Sequence, residues 1–113
     1  MENYLTCSWV IENISVHDKD YGTSILMFNV LNLEENGRGE IPRVFGNEGH
    51  REMNWSYWES KEGEVYIEVS GSDVDYFNTI FRVVVLDKKR YKVKFISDSV
   101  VLNCTGSYCK YGS

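Results

Sequence analysis

Between Met53 and Phe95 the chain alternates apolar and polar positions with a period of two. Met53-Asn-Trp-Ser-Tyr-Trp58, Val65-Tyr-Ile-Glu-Val69, Phe77-Asn-Thr-Ile-Phe-Arg-Val83 and Tyr91-Lys-Val-Lys-Phe95 all carry it, and short Gly, Asp, Ser or Lys clusters separate them. Side chains of a strand point alternately to its two faces, so the pattern predicts a meander of antiparallel strands with one buried face. The first strand is expected over 5–11, with Leu5, Cys7, Trp9 and Ile11 on one side. A second over 25–33 groups Leu26, Phe28 and Val30 and ends at Asn36-Gly37, a hairpin signal. The third, 39–45, contains Pro42, which cannot donate to a ladder, so an unpaired or bulged position is expected there. Strands over 53–60, 64–70, 77–86, 90–96 and 100–104 complete the set.

That makes eight strands and leaves no room for a crossover helix. The loops after the first, third and fifth strands are long and those after the second, fourth and sixth are short. Alternate loops of a meander fall at the same end, so one end is tied off and the other is open. The expected fold is all-β, a small eight-stranded antiparallel up-and-down barrel, with a two-sheet β-sandwich as the alternative. The 113 residues form one domain. Composition agrees: Val, Ile, Thr, Tyr, Phe and Trp make up about a third of the chain, while Ala and Gln are absent.

Cys7-Ser-Trp9, Asn36-Gly-Arg-Gly39, Trp55-Ser-Tyr-Trp-Glu59, Val65-Tyr-Ile67, Phe81-Arg-Val83 and Lys94-Phe-Ile96 resemble the small bacterial lipocalin-like proteins of the calycin group. The likeness covers nearly the whole chain. It implies an eight-stranded barrel, usually on exported proteins or lipoproteins, with an apolar ligand or none known. Larger lipocalins carry a late Arg that covers the Trp of the first strand. Here no Arg follows Arg90, and Lys110 is the residue that could lay its stem over Trp9.

A net charge of −5 and a pI near 5.0 argue against nucleic acid or an anionic membrane as the partner of the whole molecule. Six of the 12 Lys and Arg residues nevertheless fall between Arg82 and Lys94. A basic patch with an interleaved aromatic suits single-stranded nucleic acid. A solvated hairpin with outward lysines is the preferred reading, because Tyr91, Val93 and Phe95 are needed inside. No apolar run approaches the roughly 18 residues of a membrane span, and no charged leader opens the chain. With Met1 as the native start the expected location is cytoplasmic, and it is periplasmic or secreted if a leader was trimmed.

Candidate chemistry is sparse. His17 and His50 sit in two long loops, with Asp18, Asp20 and Glu48 nearby, but without metal-site spacing, and loop histidines are the simpler reading. Asp73-Val-Asp75 and Glu34-Glu35 lie in turns, where acids are expected without an acid–base role. With no nucleophile elbow and no histidine beside a strand cysteine, no enzyme, cofactor or metal is expected. Cys7 is expected to pair with Cys104 across the barrel seam, or Cys104 with Cys109, or all three to be free thiols.

The aromatic set Trp9, Phe28, Trp55, Tyr57, Phe81 and Phe95 either fills the barrel or lines a cavity. His17, Tyr21, Phe45, His50 and Tyr76 border the open end. The first functional expectation is therefore a non-enzymatic binding module that takes a small apolar ligand at the mouth. The alternative is a protein-interaction module, of inhibitor or immunity type, with a packed barrel. It would use an outward apolar face of Trp58, Ile80 and Val84.

Overall fold

The computed structural model describes residues 2–47 and 49–110. A one-turn helix, α1 (Glu2–Leu5), leads into β1 (Ser8–Val16). The strands β2 (Lys19–Asp20), β3 (Leu26–Phe28), β4 (Val30–Leu33), β5 (Arg38–Glu40) and β6 (Arg43–Val44) are short. Longer ones come after them: β7 (Glu52–Glu59), β8 (Val65–Ser70), β9 (Ile80–Asp87), β10 (Lys92–Ile96) and β11 (Val100–Ser107).

Strands β1, β4, β5, β7, β8, β9, β10 and β11 pair antiparallel in that order, and β11 returns to β1. The closing ladder runs from Ser8 against Ser107 to Val16 against Val100, with a bulge at Glu12 that keeps Ile11 and Ile14 both inward. A closed eight-stranded up-and-down barrel results, and the sandwich alternative is set aside. The hairpin turns at 34–37, 60–64 and 88–91 lie at one end. The longer connections at 17–29, 41–51 and 71–79 lie at the other, as the loop lengths predict.

Four expectations are corrected. The first strand begins at Ser8 rather than residue 5, because residues 2–5 coil across the closed end and bury Leu5. The strand expected over 25–33 breaks at Asn29. Asn29 leaves the ladder, its side-chain amide donates to the Ile11 carbonyl, and its own carbonyl accepts the Ile11 N–H. The facing inverts one step earlier, at the irregularity between Leu26 and Phe28 where β3 pairs with β6, so Leu26 is buried, Phe28 turns to solvent, and Leu31 and Leu33 face the core. Pro42 likewise divides the third strand: β5 stays in the barrel, and β6 pairs with β3 as a separate two-stranded flap.

The fourth correction concerns the cysteines. Cys7 bonds to Cys109, and Cys104 is a buried free thiol. Strand β11 runs past Cys104 to Ser107, so Cys104 lies opposite Ile11, well up the barrel from Cys7. The chain after Ser107 then turns over the closed end and delivers Cys109 to Cys7.

Candidate functional site

The inward faces of the strands meet in a filled interior. Trp9, Phe77, Phe81 and Phe95 are all at most 1% exposed. Phe95 packs edge-on against both Trp9, at 5.5 Å between centroids, and Phe81, at 6.5 Å. Both buried indoles direct their N–H groups to the closed end: Trp9 donates to the Leu5 carbonyl and Trp55 to that of Glu34. Tyr57 is half-buried against the same core. Tyr4 and Tyr91 flank Trp9, and Lys110 pairs with Glu35. Tyr91 also stacks on Tyr4, which uses the aromatic of the basic hairpin inside the molecule.

The open end is corked from above. A short 3₁₀ helix, η1 (Asp75–Phe77), drops Phe77 into the barrel, and Val74 and Ile41 bury beside it. The Asn78 side-chain amide accepts the Ser72 N–H and donates to the Ser72 carbonyl, which holds this turn in place. A second latch joins the loops, as the Asp73 carboxylate accepts the His50 backbone N–H at 2.6 Å and the Asn47 amide donates to the Asp73 carbonyl. The hollow beneath this latch has no room for a water-sized molecule.

The residues expected to border the mouth are dispersed over this cork. His17 sits with φ of 50° in the β1–β2 turn and is exposed. His50 faces Glu52 at 3.6 Å, also in solvent. Tyr21 and Tyr76 are half-buried neighbours, and burial, with Tyr21 adding to it, pushes the Tyr76 hydroxyl up from its ordinary pKa. Phe45 and Phe28 project from the flap, where the Arg51 guanidinium covers the Phe28 ring at 4.5 Å. Among the described residues no group of three His, Cys, Asp or Glu side chains could hold an ion; Glu48 lies outside them.

The outer wall of β7, β8, β9 and β10 is organised differently. Trp58, 39% exposed, stacks on its cross-strand partner Tyr66 with centroids 5.7 Å apart and planes 17° from parallel. Tyr66 pairs in turn with Arg82, and Arg82 with Ile96. Beside this row lies an open groove of about 680 Å³, lined among others by Glu64, Tyr66, Glu68, Ile80, Arg82 and Asp98. Tyr66 donates to Glu64 at 2.9 Å, which raises the pKa of its hydroxyl. Among the described residues none of Glu64, Glu68, Asp98 and Arg82 makes an ion pair.

Trp58, Ile80 and Val84 thus share the outer face, but Tyr66 and Arg82 stand between them and make the surface mixed rather than purely apolar. Sequence reasoning passed over Tyr66, whose alternation with Val65 and Ile67 already marks it as outward. It also passed over Phe77 as a cork, since nothing in Asp75-Tyr-Phe77 separates a 3₁₀ turn from the start of a strand.

No helix among the described residues is long and apolar enough to cross a membrane. No protein-family model, curated protein or solved structure matches the chain.

Proposed function

We propose that the chain is a non-enzymatic protein-interaction module: a calycin-like barrel whose interior serves stability and whose outer β7–β10 wall meets another protein. The observation that carries this reading is the contrast between the two candidate surfaces. The interior aromatics are in edge-to-face contact with one another and Phe77 closes the mouth, which leaves an apolar ligand no preformed volume. Outside, a stacked Trp–Tyr pair stays in solvent beside a groove. Trp and Tyr are the side chains that most often anchor protein interfaces.

The test is a photo-crosslinker, benzoylphenylalanine, placed at position 80 in the groove and, as control, at position 89 in the basic hairpin. One protein captured from position 80 alone, rebinding when both components are pure and losing affinity with Trp58→Ala, supports the reading. A small apolar molecule extracted from the natively purified protein at one per chain would overturn it, and would return the assignment to a carrier with its site inside.

A further inference from the structure

Resting on that reading, we infer that the occupant of the outer groove is an extended basic segment of a partner protein, one that alternates arginine or lysine with apolar residues. Three features on one wall specify this chemistry. Glu64, Glu68 and Asp98 line the groove with only Arg82 opposing them, and none is neutralised by an ion pair within the described chain. The groove therefore carries an excess of negative charge, and the complementary ligand is cationic. The stacked Trp58 and Tyr66 rings offer a π face at its border, and a guanidinium binds the face of Trp more strongly than that of Tyr or Phe. Ile80 and Ile96 supply apolar contact between the acids.

Geometry also excludes one mode of binding. The groove lies on the face of the barrel wall, where the ladders of β8 and β9 are already satisfied by their neighbours. An incoming segment cannot add as a strand there. It must be held by side chains, so the charge pattern and not the backbone sets specificity.

The experiment is an NMR titration of the ¹⁵N-labelled full chain at low salt with the acetylated peptide Arg-Leu-Arg-Ser-Arg-Leu-Arg-Ser-Arg. A control peptide has Glu for every Arg. The basic peptide is expected to shift the Trp58 indole and the amides of residues 64–68, 80–84 and 96–98, with the control silent. Glu64→Gln with Glu68→Gln should weaken binding about tenfold, as two lost charge contacts would. Arg82→Glu should tighten it. Glu34→Gln with Glu35→Gln, which removes the same charge elsewhere, should leave it unchanged.

Equal losses in the two Gln pairs would show mere attraction to an acidic protein and overturn the inference. Binding of the Glu peptide to these same amides would also overturn it, yet leave the wall standing as a docking surface. Silence from both peptides overturns the basic occupant alone, because the crosslink from position 80 decides the underlying reading independently.

Discussion

Removing the Cys7–Cys109 bond by Cys109→Ala should cost the fold about 3–5 kcal/mol. The two cysteines are separated by 102 residues, so the bond closes nearly the whole described chain into one loop. Cross-linking a loop of that length lowers the entropy of the unfolded chain by an amount worth about 4.7 kcal/mol at 25 °C. Residual structure in the unfolded state reduces the figure, hence the lower limit. The native barrel loses little directly, because the β1–β11 ladder holds the same seam without help from the bond. The assay is urea unfolding followed by tryptophan fluorescence, on oxidised wild type, reduced wild type and the variant. Reduced wild type and the variant should coincide, both well below the oxidised protein, and both should show a steeper urea dependence as their unfolded chains expand. A loss under about 1 kcal/mol would refute the reasoning, since it would mean that the unfolded chain is scarcely constrained by the longest loop available.

Burial pushes the Cys104 thiol well above its ordinary pKa, and Glu12 adds to the shift. The unfolded chain therefore releases this proton above about pH 8.5 while the native barrel keeps it, so stability is intact below that pH and falls above it. Urea midpoints measured from neutral pH upward should show the decline, and Cys104→Val should flatten it; a parallel decline in the variant would sink the assignment. Gly39 is the only inward residue of β5, and a Cβ there would stand 2.1 Å from the Asn32 backbone oxygen. Gly39→Ala should accordingly destabilise by about 3 kcal/mol, at the upper end for overpacking, and a thermal midpoint within error of wild type would be the contrary result. Phe77→Ala should cost about 3–5 kcal/mol and open the mouth, so that the variant binds the dye ANS where wild type does not; a stable variant that ignores the dye would show that Phe77 is no cork.

What the sequence made legible was whatever depends on the two-residue period and on turn chemistry. The alternation from Met53 to Phe95 fixed the inward residues of β7 to β10, and the loop lengths gave the barrel its open and closed ends. The errors arose where a side chain replaces a backbone ladder. Asn29 looks like any polar position in an alternating strand, yet its amide bonds the Ile11 carbonyl just where the β1–β4 ladder stops. Phe28, grouped with the interior aromatics, was lost at the irregularity between Leu26 and Phe28, where β3 leaves the barrel to pair with β6. The disulfide was missed because the alternation of β11 weakens at Thr105-Gly-Ser107, which hid three further residues of strand and with them the path of Cys109 to the closed end. On the outer wall, Trp58 was legible from parity alone, whereas the meeting of Trp58, Tyr66 and Arg82 needed the registers of two ladders.

The wiring of the barrel also determines the order in which it can assemble. From β4 onward each ladder joins strands that are close in the chain, so the sheet can grow by successive hairpins, each closing a short loop at modest entropic cost. The β1–β11 ladder is different in kind, since Trp9 must find Gly106 across almost the full chain. Such distant pairings slow folding, and the meeting of the first and last strands is the step expected to limit the rate. In a chain whose Cys7 and Cys109 are already joined, that encounter is no longer a search. The oxidised chain should refold markedly faster than the reduced one, with nearly the same unfolding rate, and the bond then acts as a guide to the pathway as well as a brace for its product.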